Sequence, residues 1–257
     1  MEIKLSPQQA GLASVKRTDT GWRLEIPAGQ RGSYRLAQID DYARTTRNRL
    51  KYGPPWSMCV RARVSSADLP GTWGFGLWND PFGLSLGLGG GKPGQLPSLP
   101  QTAWFMHASP PNWLSLRNDP EKIPANGFFA GTFRSERIQA FLLAPGLLAL
   151  PLCVIRPISR WLRRLASRLI RQEGARIVLE VTKWHEYSIH WLKESCIFSV
   201  DGQALLSTSC SPRAPLGLVL WIDNQFAAWT PEGKLGYGTL ENPAAWLEIE
   251  ELDIKQE

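Results

Sequence analysis

The sequence is short of the residues that staple a fold or ligate a metal. Its 257 positions hold four cysteines, three histidines and three methionines. Cys59, Cys153, Cys196 and Cys210 form no Cys-x-x-Cys pair and stand near no histidine at zinc-ligand spacing. A disulfide scaffold, a zinc knuckle and a dithiol redox centre are therefore unsupported, and buried free thiols are expected. Long apolar runs are missing as well. Ala140 to Ile155 is sixteen uncharged residues interrupted by Pro145, Gly146 and Pro151, too short and too broken to span a bilayer, which takes about 20. The opening MEIKLSPQQAGLASVKR lacks the continuous apolar stretch of a secretory signal, so a cytoplasmic location is expected.

Tryptophan, glycine and proline are plentiful: 12, 23 and 20 residues. Gly and Pro punctuate sheets and weaken helices, so this composition points to many short strands joined by tight turns. Charge is uneven. Arg134 to Arg176 holds nine arginines and two glutamates, whereas the remaining residues are close to balance, so the net charge of +6 resides in one segment. A basic surface spread over the whole fold would suit nucleic acid; one concentrated stretch reads as an appended device, and no nucleic-acid partner is expected.

Periodicity gives the strands. WSMCVRARV alternates, with Trp56, Met58, Val60, Ala62 and Val64 on one side. GTWGFGLW puts Trp73, Phe75 and Leu77 on one face and Gly74, Gly76 and Trp78 on the other, where the glycines leave floor space for a ligand. Leu84 to Pro100 reads as a long loop. HEYSIHWL and CIFSVDGQALL follow, with Asp201-Gly202 as a two-residue hairpin turn. Leu216 to Asp223 is a further strand, and AWLEIEELDI slips phase at Glu250 and Glu251, which predicts a β-bulge. The whole chain, 1–257, reads as one all-β, two-sheet antiparallel jelly-roll sandwich carrying an inserted helical segment at 134–176.

The order YARTTRNRLKYGPPWSMCVRARVSSADLPGTWGFGLWND, then WHEYSIHWLKESCIFSVDGQALL, then WLEIEELDIKQE resembles glycoside hydrolase family 16 and related concanavalin A-like jelly rolls. The resemblance implies a sugar-binding groove and, on the strand after the Trp-rich one, Glu-x-Asp-x-x-Glu or Glu-x-Asp-x-Glu. Alternate carboxylates there would face the groove, and a retaining glycosidase needs two of them about 5–5.5 Å apart. The matching stretch here, Leu99 to Arg117, contains no Asp or Glu. A classical retaining glycosidase is disfavoured. The resemblance also allows a structural calcium, with Asp253 or Asp40 and Asp41 as oxygen donors, but no spacing matches a calcium loop and no metal or cofactor is expected.

A retained groove would be floored by Trp78, Asn79, Trp104, His107, Trp221 and Asp223, and would suit a carbohydrate, a glycolipid or another amphiphile. His107 and Asp223 are the weak catalytic candidates if a different constellation acts on such a substrate; packing residues are the plainer alternative for each Trp and for His107. In the basic segment, helical spacing puts Ile158, Trp161, Leu162, Leu165 and Leu169 on one face with arginines around the rest, Pro157 in the first turn and Gly174 as the stop. That is the pattern of an interfacial helix, with Leu147, Leu148, Trp161, Arg163, Arg164 and Arg168 as contacts to an anionic membrane surface and the protein peripheral on it. The alternatives are a helix packed on its own sandwich with its arginines solvated, and a soluble carbohydrate-binding module.

Overall fold

The computed structural model describes residues 4–43, 45–81, 98–136 and 150–256. Along the chain run β1 (Ser6–Ala10), β2 (Ser14–Arg17), β3 (Gly21–Ile26), β4 (Leu36–Asp40), β5 (Trp56–Val64), β6 (Thr72–Trp78), β7 (Thr102–Ala108) and β8 (Gly127–Ser135). A 3-10 turn at Leu150–Val154 leads into the helix α1 (Arg156–Leu169). There follow β9 (Ile170–Arg176), β10 (His185–Trp191), β11 (Cys196–Val200), β12 (Gln203–Thr208), β13 (Gly217–Asp223), β14 (Gln225–Trp229), β15 (Leu235–Thr239) and β16 (Ala245–Gln256).

Two seven-stranded sheets form the sandwich, in the orders β1-β4-β13-β6-β7-β8-β9 and β12-β11-β10-β5-β16-β3-β2. Every pairing is antiparallel. Strands distant in sequence lie side by side, as β13 does between β4 and β6, which is the jelly-roll signature. β14 and β15 make a separate hairpin.

The cause is the period-two pattern. β5 buries alternate residues along its whole length, and Trp73, Phe75, Phe105 and Phe128 of the first sheet meet Tyr187 and Phe198 of the second in one aromatic layer, for example Phe105 to Phe198 at 5.5 Å between ring centres. Each such ring removed from water contributes about 1.5–3 kcal/mol. The Asp201-Gly202 turn is present, both residues having positive φ (48° and 77°). So is the bulge: β16 shifts register against β5 between Glu250 and Asp253, and Glu251 has φ 50°.

β16 is a central strand of its sheet, between β5 and β3, and its Glu248 bridges Arg23 (2.6 Å) and Arg63 (2.8 Å) on the solvent face. One sequence expectation shifts. The helix ends at Leu169, and Gly174 lies inside β9, because Ile170 onward pairs with β8. The ends of the basic segment are therefore sheet strands. The expected loop at Leu84 to Pro100 falls mostly outside the described residues.

Gly76, with φ 148°, has room for no side chain: a Cβ there would overlap the Ala103 carbonyl oxygen and sit 2.6 Å from the Trp104 Cα. Gly76→Ala is expected to destabilise the fold by about 1–3 kcal/mol, read as a lowered denaturant midpoint with an unchanged slope.

Candidate functional site: the outer face of the first sheet

The strands of the first sheet send one set of side chains inward and the other outward. On the outer face, adjacent rows run Asp40–Val219–Gly76–Trp104–Gly131 and Gln38–Trp221–Gly74–Met106–Phe129. Leu36, Tyr42, Leu50, Met106, Phe129, Val219 and Trp221 make a second apolar cluster there, with Trp78, Trp104, Tyr34 and Leu114 half-buried against it. Glycines at 74 and 76 leave room for the neighbouring indoles, since a Cβ on either would crowd Trp221 or Trp104; Trp104 is 5.7 Å from Trp221 and 6.2 Å from Trp78, with the rings tilted by 50° and 42°.

Hydrogen bonding sorts these groups. Trp78 donates its indole N–H to the Tyr42 hydroxyl, and Trp221 donates to Thr72 Oγ1 at 2.9 Å. The Trp104 Nε1 and, two residues earlier on the same face, the Thr102 hydroxyl have no partner among the described residues. Trp56 and Trp73 carry orphaned N–H groups inside the sandwich core. All four of these polar atoms are buried, at a cost of about 1–3 kcal/mol each, so what the outer face presents is the half-buried indole surface of Trp78 and Trp104.

Asp223 closes the far end. Its Oδ1 accepts from the Thr72 hydroxyl (2.9 Å), the Thr72 N–H (3.2 Å) and the Gln225 N–H (3.0 Å). Burial outweighs these three donors and lifts its pKa from 3.8 to about 7. Burial, with the charge of Asp223, likewise raises the Tyr34 phenol above its ordinary value. The carboxyl is thus held near the boundary between acid and carboxylate at neutral pH.

His107 is not part of this face. It points inward from β7, stacked on Trp73 (5.6 Å, 8° between planes), with Nε2 3.2 Å from the Leu69 carbonyl oxygen, and burial lowers its pKa. Odd and even residues of β7 face opposite ways, so His107 and Asp223 do not share a pocket and cannot act as a pair. Asn79 is spent on structure: its Oδ1 accepts from the Gln101 N–H, and its Nδ2 donates to the Leu99 carbonyl and the Ser98 hydroxyl. Trp221 is a buried wall, 6% exposed, with Trp78 and Trp104 more open than it.

On β7, the strand where the sequence resemblance implies carboxylates, the outward positions are Thr102, Trp104, Met106 and Ala108. Asp40 and Asp223 do share the outer face, but Asp40 sits opposite Val219, four residues from Asp223 along β13. That is about 13 Å, beyond both the retaining and the inverting separations. Asp40 is also occupied by the Tyr42 N–H (3.0 Å) and the Gln38 amide (2.8 Å). Asp41 accepts from the Leu218 N–H and Asp253 pairs with Lys255. Among the described residues no group of three or more His, Cys, Asp and Glu side chains could hold a metal ion.

The sequence places Arg163 among the helix residues that meet an anionic surface, and in the structure it does the opposite. Arg163 is 3% exposed. It donates to the carbonyls of Ser115 (2.8 Å), Arg117 (3.1 Å) and Trp229 (2.9 Å) and to the Asn118 side chain. Ser159, one turn earlier, is wholly buried and accepts the Trp229 indole N–H at 3.0 Å. Arg163 is therefore a buried clamp between α1, the 115–118 loop and the β14–β15 hairpin, and not a membrane contact. Trp161 (57%), Leu165 (40%), Arg164 and Arg168 are exposed; Leu147 and Leu148 lie outside the described residues.

No protein-family model matches the chain, and no curated protein does. Similar solved structures include LamAcat from Zobellia galactanivorans, 15% identical over 91% of this chain and 77% of that one, TM-score 0.47. A glycoside hydrolase family 16 endo-glucanase from Bacteroides ovatus is 11% identical over 98% and 94%, TM-score 0.46. A legume lectin-like domain from Entamoeba histolytica is 8% identical over 98% and 90%, TM-score 0.46. Hydrolases and lectin-like jelly rolls thus stand together among the similar structures, and the chemistry of this chain rests on its own residues.

Two outcomes follow from the geometry. The folded pKa of Asp223 exceeds its unfolded value, so its contribution to stability is complete below about pH 4 and is lost as pH rises through about 7. Asp223→Asn, which keeps the Oδ1 acceptor, should flatten the stability profile in that window by up to about 1.4 kcal/mol per pH unit, measured by urea denaturation. Arg163→Gln should cost about 2 kcal/mol or more, whereas Arg164→Gln and Arg168→Gln should stay within about 0.5 kcal/mol in the same assay.

Proposed function

We propose that this protein is a carbohydrate- or glycolipid-binding jelly roll that works at an anionic membrane surface and does not perform two-carboxylate glycoside hydrolysis. The membrane part is carried by one observation: α1 meets the rest of the protein through Ser159 and Arg163 and leaves Trp161 and Leu165 exposed. A helix that packs only on its own domain turns its apolar stripe inward. Here Ile158, Leu162 and Leu169 are half-buried while Trp161 and Leu165 stand outward, continued by Leu152, Val154 and Ile155, which are 48%, 87% and 50% exposed. Arg156, Arg160, Arg164 and Arg168 flank them, all exposed. Apolar residues ringed by guanidiniums match a lipid surface of negative charge, where each arginine contributes about 1 kcal/mol. Among the described residues no helix is long and apolar enough to cross a membrane.

The ligand part rests on Trp78 and Trp104. Half-open indole faces offer the apolar face of a sugar ring a stacking surface. The missing carboxylate pair, and a His107 turned into the core, leave binding as the reading the outer face supports, in preference to an enzyme built on His107 and Asp223.

Flotation separates the parts. The purified chain should float with phosphatidylcholine vesicles containing phosphatidylglycerol and remain below with phosphatidylcholine alone. Trp161→Ser with Leu165→Ser should abolish flotation while leaving binding to an array of soluble and lipid-linked oligosaccharides unchanged, and Trp104→Ala should do the reverse. A wild-type chain that stays in the soluble fraction with anionic vesicles would defeat the membrane part; an array without a single binder would defeat the sugar part.

A further inference from the structure

The two sheets end over one another at β9 and β12, which are edge strands and touch. At one end of that seam lies an open cavity of about 750 Å³ lined by four basic residues from four stretches of the chain. Arg134 comes from the end of β8 and Arg171 from the start of β9; Lys193 comes from the β10–β11 turn and Arg213 from the loop before β13.

Arg134 and Arg171 are direct cross-strand partners in the β8–β9 ladder. Residues so paired project from the same face with Cβ atoms about 5 Å apart, and like charges placed there repel. The ordinary remedy is an ion pair with a carboxylate, and neither arginine makes one with a described residue. Arg134 donates to the Ser211 carbonyl at 3.3 Å, and Glu136 is engaged with Arg213 at 2.9 Å. Among the described residues no acidic group forms an ion pair with Arg134, Arg171 or Lys193, although Glu194 lies in the cavity lining and Glu173 shares the face of Arg171.

We propose that the Arg134–Arg171 pair, with Lys193 and Arg213 at the rim, is a binding site for a phosphate group that bridges the two guanidiniums. Arginine forks suit such an anion because each can give two parallel N–H donors to its oxygens. A phosphate placed between them turns the repulsion into two charge-assisted contacts, and the cavity has room for the organic part of a phosphate ester. The phosphate can belong to a soluble phosphorylated compound or to a phospholipid headgroup. The cavity is separate from the Trp78–Trp104 face: Arg134 and Arg171 project from the opposite side of the sheet to Gly131 and Phe133.

Inorganic pyrophosphate is the soluble probe, and phosphatidylcholine vesicles with and without phosphatidic acid are the lipid probe. Pyrophosphate should raise the Tm of the wild-type chain above that in sodium chloride of equal ionic strength. Calorimetric affinity should fall about tenfold or more in Arg134→Gln and in Arg171→Gln. Without an anion, Arg171→Gln should keep or raise the Tm, since it removes a repulsion. Loss of phosphatidic acid vesicle binding in the same variants identifies a headgroup; retention of it identifies a soluble phosphate compound. Trp161→Ser with Leu165→Ser should leave pyrophosphate affinity unchanged, so failure of the membrane reading is distinguishable from failure of this one. Equal pyrophosphate effects in wild type and Arg134→Gln/Arg171→Gln, or none in either, would overturn the site. In that case the arginines serve only to keep the β9 edge from pairing with another chain, and the double variant would aggregate.

Discussion

The interior aromatic layer is the constraint from which the rest descends. Trp73, Phe75, Phe105 and Phe128 must face Tyr187 and Phe198, and because a strand alternates, that choice also decides what the other face of β6, β7 and β8 presents. Gly74, Gly76, Trp78, Thr102, Trp104 and Met106 are outward for no reason of their own; they are the complement of the core. A one-residue slip in β7 would exchange Trp104 and Met106 for Phe105 and His107, destroying core and outer face together. The face where a ligand would sit is thus as firmly specified as the hydrophobic interior.

A second dependency joins the helix to that face. Arg163 holds three backbone carbonyls that have no strand partner in the loop at 115–118 and in the β14–β15 hairpin. The same hairpin begins two residues after Asp223, and Leu114 of the same loop lies against the outer apolar cluster. One buried guanidinium therefore ties the element proposed to meet lipid to the wall of the proposed sugar site. A buried charge is tolerated there because its donors are met by carbonyl dipoles and an amide oxygen.

On the outer face, spacing matters as much as residue type. β7 shows Thr, Trp, Met and Ala to the outside, and Asp40 and Asp223, which share that face, are separated by four residues of β13. Asp223, with one oxygen crowded by donors and a pKa lifted to about 7, orders Thr72 and Trp221.

Much of the fold was legible along the chain. The alternation of β5 and β6, the Asp201-Gly202 turn and the bulge at Glu251 were readable because each is set within a few residues, by the period of a strand or by the backbone freedom a turn requires. So was the lack of acids in Leu99 to Arg117. Arg163 was misread as a lipid contact and His107 as a groove residue for one reason: a sequence says which residues share a face, not which face turns inward. Burial of Arg163 needs carbonyls from residues 115, 117 and 229, and the facing of Arg134 to Arg171 needs a ladder between β8 and β9 across the intervening helix. Local chemistry fixed the elements and their two sides; only the contacts between distant stretches decided which side meets the core, because burial is a property of what arrives from elsewhere in the chain.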